Sequence, residues 1–146
     1  MAQQDFIYTP GIWLGEGKIT FNSTSDSIKF FTKWQIQKED LGVIQAVQVV
    51  EMEGIEVQTI NRFSFYDFTE ETFSLSLENI LIGKVFGKGF SKDDSIRWDF
   101  PHTPSFEGLE MYERQLNGEY VLHAEYGSEV LFKTIIDGVI WRAAIS

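Results

Sequence analysis

The chain has 146 residues, of which 43% are hydrophobic and 15% aromatic, and its formal net charge at pH 7 is -10. This apolar content excludes an intrinsically disordered chain and predicts one domain over residues 1–146, with an N-terminal lead-in at 1–10. The lack of Cys excludes disulfides and thiolate metal sites, and the acidic charge argues against nucleic-acid partners.

Residues 1–10 carry no basic residue and no apolar stretch of the kind found in a signal peptide. Aliphatic runs such as 80–82 are far shorter than the roughly 20 residues of a membrane helix. We therefore expect no membrane insertion and a cytoplasmic location.

Alternation of apolar and polar residues dominates the chain and is clearest at 28–36, 57–65, 73–78 and 95–100. Such a period of two is typical of strands with one buried face. Polar or Gly-containing turn signals lie between these runs, among them 22–27 and the pairs at 53–54, 117–118, 127–128 and 137–138. The pattern predicts roughly ten strands joined by hairpins.

The predicted fold class is all-β, an up-and-down antiparallel β-barrel of about ten strands without substantial helix. Closure removes the two bare edges of an open sheet, whereas a two-sheet sandwich needs longer crossovers than the turns provide. A barrel of this size has room for one small molecule. The predicted inward set is Trp13, Ile19, Phe21, Phe30, Trp34, Val57, Phe63, Phe65, Leu75, Trp98 and Phe100.

The first predicted strand carries Gly11-Ile12-Trp13-Leu14-Gly15-Glu16-Gly17. Its Gly-x-Trp resembles the signature of the calycin superfamily, which includes the lipocalins, and the longer Gly-x-Trp-x-Gly-x-Gly form is similar to the nitrobindin family. The resemblance implies that Trp13 closes one end of the barrel and that Arg142, on the last strand, packs over it. Aromatic packing and a stacked guanidinium give this role a physical basis.

Two histidines are candidates for a cofactor or metal. His123 lies on the polar phase of 120–126, which predicts an outward side chain, although an axial haem ligand or general base is the functional alternative. His102 lies in the Pro-containing loop at 101–104, and the two show no metal-ligand spacing, so no metal site is expected. The nitrobindin resemblance implies haem held by a His near the C-terminus, but none follows His123. The cofactor therefore remains unknown, with haem unsupported.

Polar residues on the inward phase are candidates for orienting a ligand. Thr59 and Asn61 would serve either as a polar anchor or as part of a buried water network. The phase of 109–115 is ambiguous, because one phase buries Leu109 and Met111 and the other buries Tyr112 and Arg114. The second phase would form a carboxylate clamp similar to the Arg/Tyr sites of fatty-acid-binding proteins, unless Arg114 is a surface residue paired with Glu.

The segment 83–92 alternates Lys and Phe on one face with Gly87 and Gly89 on the other. Basic residues interleaved with aromatic ones can bind single-stranded nucleic acid, but the acidic net charge favours a solvated outer face instead. The inward glycines would leave interior space for a ligand.

The leading hypothesis is a lipocalin-like carrier that binds one small, largely apolar molecule (lipid, fatty acid-like or pigment-like). An enzyme or chromophore-handling protein on the same barrel is the second, although the sequence offers no catalytic set. The third is an interaction module with a filled core, whose outward aromatic residues would form a patch: Phe31, Tyr66, Phe86 and Phe90. A homodimer formed through such a patch is one possible assembly. The candidate ligand-binding residues are Phe30, Trp34, Thr59, Asn61, Phe63, Phe65, Trp98, Tyr112 and Arg114.

Overall fold

The computed structural model describes residues 5–21, 26–103, 106–127 and 133–144. These residues contain no helix, and so none that is long and apolar enough to cross a membrane. The ten strands are β1 (Gly11–Phe21), β2 (Ser27–Ile36), β3 (Ile44–Met52), β4 (Thr59–Tyr66), β5 (Thr72–Asn79), β6 (Gly83–Lys92), β7 (Ser95–Phe100), β8 (Glu107–Arg114), β9 (Tyr120–Gly127) and β10 (Thr134–Arg142).

Each strand pairs antiparallel with its neighbours in sequence, and β1 also pairs with β10, which closes the barrel. The predicted all-β, up-and-down barrel of ten strands is therefore confirmed. Two of the predicted turns contain Gly54 and Gly118, whose φ angles of 82° and 88° lie in the left-handed region that glycine tolerates. The predicted turn at 137–138 is wrong, because Asp137 and Gly138 lie within β10 and pair with β1. The predicted turns at 22–27 and 127–128 lie partly outside the described residues.

The alternating strand directions give the barrel two ends. The connections β1–β2, β3–β4, β5–β6, β7–β8 and β9–β10 lie at one end, which we call the open end. The start of β1 and the other four connections lie at the opposite end, which we call the plugged end.

The segment before β1 closes the plugged end. Phe6 and Ile7 are completely buried, and the Tyr120 hydroxyl donates a hydrogen bond of 2.8 Å to Asp5 Oδ1. The sequence predicts only a lead-in at residues 1–10, whereas Phe6 and Ile7 belong to the core. The Phe6 ring centroid lies 5.3 Å from Trp13, 5.2 Å from Trp34, 4.7 Å from Tyr112 and 5.7 Å from Tyr120.

Large aromatic side chains fill the half of the barrel above this plug. The Phe63 and Phe65 rings stack with centroids 5.7 Å apart, and Trp98 lies 5.8 Å and 5.5 Å from them. Because these rings are in contact and fully buried, they pack the described interior of this half densely. The aromatic core consists of Phe6, Trp13, Trp34, Phe63, Phe65, Phe73, Trp98, Tyr112 and Tyr120.

Val57 corrects the predicted inward set. It is 75% exposed and lies in the β3–β4 connection, because β4 begins only at Thr59. The alternation of apolar and polar residues thus starts two residues before β4, and alternation alone does not mark where strand pairing begins.

The space above the inward glycines of β6 is also occupied, contrary to the expectation that it is free for a ligand. A Cβ on Gly89 would lie 2.2 Å from the Phe73 ring, and one on Gly87 would lie 2.9 Å from the Phe100 ring. Aromatic side chains from the two neighbouring strands therefore fill the room that these glycines leave.

Glycines of the N-terminal motif allow a close approach of β1 and β10. Gly17 lies directly opposite Gly138, and a Cβ on Gly17 would lie 2.1 Å from the carbonyl oxygen of Asp137. The Phe30 ring covers both positions, with atoms 2.8 Å and 3.1 Å from the two ideal Cβ sites. No larger residue fits at Gly17 without moving the backbone.

Candidate ligand-binding site

A cavity of about 250 Å³ lies in the open half of the barrel, above the aromatic core. Its wall is mostly aliphatic, and its polar side chains are Gln48, Thr59, Asn61, Asn79, Glu110, Tyr126 and Thr134. The apolar lining residues are Ile19, Phe30, Val50, Met52, Leu77, Leu81, Ile82, Phe106, Leu122, Ala124 and Ile136.

The structure divides the candidate ligand-binding residues between the two halves of the barrel. Phe30, Thr59 and Asn61 line the cavity. The others lie further along their strands; Trp34, for example, is four residues beyond Phe30, or about 13 Å at the rise of a strand. Five of them belong to the aromatic core and do not line the cavity: Trp34, Phe63, Phe65, Trp98 and Tyr112.

Strand β8 adopts the phase that buries Tyr112. Glu110 and Tyr112 point inward, whereas Met111 is exposed. Arg114 has the same phase but lies four residues beyond Glu110, towards the plugged end, where its backbone N–H donates to the Asp94 carbonyl oxygen at 2.7 Å. It does not line the cavity. The expected clamp of Tyr112 and Arg114 on a ligand carboxylate is therefore not assembled there.

Glu110 is the functional candidate that the sequence analysis missed. Its side chain is buried at the cavity, where Oε1 accepts a hydrogen bond of 2.6 Å from the Tyr112 hydroxyl. Oε2 accepts hydrogen bonds from the Tyr126 hydroxyl and, at 3.3 Å, from Trp98 Nε1. The available signal was the inward phase shared with Tyr112, but apolar Leu109 and Met111 favoured the opposite phase.

Burial determines the electrostatics of the Glu110 cluster, which consists of Glu110 and its three donors Tyr112, Tyr126 and Trp98. Burial raises the pKa of the Glu110 carboxyl above its ordinary value, although hydrogen bonds from Tyr112, Tyr126 and Trp98 oppose the shift. Burial, together with the neighbouring Glu110 charge, also raises the pKa values of Tyr112 and Tyr126 well above 10.0. Both phenols therefore stay protonated at neutral pH and act as donors to Glu110.

A chain of side-chain hydrogen bonds crosses the opposite wall, on strands β2 to β5. Gln48 Nε2 donates to Thr32 Oγ1 at 3.1 Å, and Asn61 Nδ2 donates to Gln48 Oε1 at 2.9 Å. Asn79 Nδ2 donates to Asn61 Oδ1 at 2.9 Å. Of the two residues expected to act as a polar anchor or to join a water network, Asn61 is thus bonded to Gln48 and Asn79, whereas Thr59 is not part of this chain; each amide nitrogen retains a second hydrogen.

The same chain holds the β5–β6 turn at the open end. Asn79 Oδ1 accepts hydrogen bonds of 2.9 Å from the backbone N–H groups of both Leu81 and Ile82. Leu81 and Ile82 line the cavity, while Ile80 is fully exposed beside them. The polar chain therefore positions apolar side chains at the mouth of the cavity.

Trp13 and Arg142 lie directly opposite each other in the β1–β10 ladder. Trp13 is fully buried, with its ring centroid 5.5 Å from that of Tyr120. Arg142 is exposed; its Nη2 donates to the Pro10 carbonyl oxygen at 3.0 Å, and its guanidinium passes over Gly11. The Arg142 hydrogen bond ties the last strand to the segment that forms the plug.

The two histidines lie outside the cavity. His123 points outward, with Nδ1 2.6 Å from Asp137 Oδ1 and Nε2 3.0 Å from Glu125 Oε2. These two contacts, that with Asp137 first, raise the pKa of His123 above its ordinary value. His102 is exposed beside Glu107. Within the described residues, no cluster of three or more His, Cys, Asp or Glu side chains is arranged to hold a metal ion.

The outward aromatic residues do not form one continuous patch. Phe31, Phe86 and Phe90 are exposed, and Tyr66 is half-buried. Phe31 lies on β2, and three strands separate it from Phe86 and Phe90 on β6. The interaction-module hypothesis therefore lacks the contiguous surface that would favour it.

No protein-family model matches the chain, and no curated protein matches it by sequence. Among solved structures, an S-type phycobiliprotein lyase, CPES, from Guillardia theta superposes with a TM-score of 0.74 at 9% identity, over 100% of this chain and 95% of that one. Rv2717c from M. tuberculosis gives a TM-score of 0.71 at 10% identity over 92% of each chain. The chain thus shares its barrel fold with these two structures. Identities this low show the fold alone.

Proposed function

We propose that this protein binds one small, largely apolar molecule in the open half of the barrel. The observation that carries the proposal is the division of the interior: one half is filled by aromatic rings, and the other contains a cavity of about 250 Å³. Aliphatic walls with a few oriented polar groups are typical of small-molecule sites. The volume is slightly below the range of about 300–1,000 Å³ for the pockets of drug-sized ligands.

The side chains around the cavity support binding over a purely structural role. Ala124 and Leu122 face it from β9, and Val50 faces it from β3. The plugged half places the Tyr120 ring at the comparable inward position of β9, and it is filled mainly by rings from other strands, such as Trp34 and Phe63. Residues of this smaller size leave apolar walls that a ligand would cover, and covering apolar surface contributes roughly 25 cal/mol per Å².

Titration with the neutral fluorophore prodan tests the proposal. Wild type should give a saturable, blue-shifted emission. Ala124→Phe, which puts a ring into the cavity, should abolish it. Val121→Phe is the matched control, because Val121 is an exposed residue of the same strand. Near-ultraviolet circular dichroism verifies that each variant folds. The proposal fails if wild type shows no saturation, or if both folded variants lose binding equally.

Handling of a chromophore on the same barrel is a second candidate. It is favoured by Glu110, an ionisable group at the cavity whose pKa is displaced by burial. The fold likeness to a phycobiliprotein lyase is compatible with it. A native mass spectrum and a visible absorption spectrum of the freshly purified protein separate the two. A bound mass with visible absorption supports chromophore handling, and a colourless bound mass supports the carrier.

A further inference from the structure

The geometry points to an apolar ligand that carries an amine or another N–H donor, bound at Glu110, and not to a carboxylate-headed lipid. This inference rests on the proposed function, because it assumes that the cavity is a ligand site. It identifies the chemical class of the ligand group that would face Glu110.

The charge of the cavity favours a cationic ligand. Glu110 is the only carboxyl among the described residues that line it, and none of those residues is Lys, Arg or His. The segments outside the described residues (1–4, 22–25, 104–105, 128–132 and 145–146) contain no Lys, Arg or His in the sequence. A buried carboxyl is therefore present without a basic partner from the protein. A ligand cation would supply the missing charge, whereas a ligand carboxylate would add a second negative charge to an apolar site.

Glu110 has more hydrogen-bond acceptor sites than the protein supplies donors. A carboxylate has about four acceptor sites, and it has no hydrogen to donate. Three donors from the protein already point at it, from Tyr112, Tyr126 and Trp98. Both phenolic hydrogens and the indole hydrogen are thereby used. While Glu110 is ionised, the cluster offers an acceptor to the cavity and no remaining donor, so a ligand that binds to this form has to donate a hydrogen bond.

Burial of Glu110 without a cationic partner disfavours its charged form. Burial raises the pKa of Glu110 because the carboxylate has lost water. An N–H donor or ammonium at the fourth acceptor site would stabilise the charged form and restore part of that lost solvation. The aliphatic wall above Glu110, including Leu122 and Ile136, would cover an apolar tail.

The test compares three ligands that share one tail, namely decylamine, decanol and decanoic acid, by isothermal titration calorimetry near neutral pH. Wild type should bind the amine more tightly than the alcohol, and about 10- to 100-fold more tightly than the acid, the range expected for one charge-assisted hydrogen bond. In Glu110→Gln the amine should lose its advantage over the alcohol. Glu113→Gln, an exposed change of equal charge on the same strand, should keep that advantage.

A second readout does not depend on a variant of Glu110. Because Trp98 Nε1 donates to Glu110, saturation of wild type with decylamine should shift the Trp98 indole resonance in a proton–nitrogen correlation spectrum. Decanol should move it much less. This measurement decides the question if circular dichroism shows that Glu110→Gln does not fold.

The outcomes separate the two proposals. If none of the three ligands binds, the proposed function fails, and this inference fails with it. If the alcohol binds and the acid competes as well as the amine, the carrier function stands and the inference is overturned. Retention of the amine preference in folded Glu110→Gln also overturns it, as does an equal loss in Glu113→Gln. An unmoved Trp98 resonance at saturation has the same consequence.

Discussion

Removal of the Phe6 ring tests whether the N-terminal segment holds the barrel closed. Phe6 is fully buried and contacts the rings of Trp13, Trp34, Tyr112 and Tyr120 at centroid distances of 4.7 to 5.7 Å. Truncation of a core Phe to Ala costs about 3–5 kcal/mol of unfolding free energy. Since 1 kcal/mol corresponds to about 2–4 °C for a chain near this length, the melting temperature should fall by roughly 10 °C.

Urea unfolding followed by tryptophan fluorescence measures this loss, with thermal circular dichroism as the second assay. The native emission of Phe6→Ala should also shift to the red, because water would reach the rings beneath the plug. Phe31→Ala is the matched control: Phe31 is 51% exposed, and its truncation should cost less than about 1 kcal/mol. Equal stability losses in the two variants would refute the reasoning, since residues 5–7 would then be a dispensable lead-in.

Two further substitutions test the close strand contact and the outer histidine. Gly17→Ala should destabilise the barrel by about 1–3 kcal/mol or more, because the new Cβ would lie 2.1 Å from the Asp137 carbonyl oxygen. Gly127→Ala is the control, because a Cβ there meets only ordinary contacts. Equal urea midpoints for the two variants would contradict the predicted clash at Gly17. The pKa of His123 is raised by Asp137 and Glu125, so its stabilisation is fully present below the ordinary value of 6.5 and is lost as pH rises through the raised value. The melting-temperature difference between wild type and His123→Gln should therefore be larger at about pH 5.5 than at about pH 9; a difference that does not vary with pH would contradict the assignment.

Much of the fold could be predicted from local patterns. The alternation around Phe63, Phe65 and Trp98 correctly placed these rings inside, and the turn pairs with Gly54 and Gly118 correctly separated neighbouring strands. Both features depend on neighbours in sequence, because successive strand residues face opposite sides and only certain residues accept a left-handed turn. A closed barrel then follows from consecutive hairpins that leave no edge strand.

The cavity depended on contacts between residues far apart in sequence. Alternation shows that Trp34 and Phe30 both point inward. Only the three-dimensional packing shows that Phe6 and Phe63 cover Trp34 and that Phe30 faces the cavity. The phase of β8 is ambiguous from its own residues. In the structure Glu110 points inward and accepts hydrogen bonds from Trp98 and Tyr126, which lie on other strands. The sequence by itself thus determined the strands, their order and most of the inward faces. Tertiary structure decided which inward positions are filled and which are left to a ligand, because that depends on the sizes of side chains that distant strands bring together.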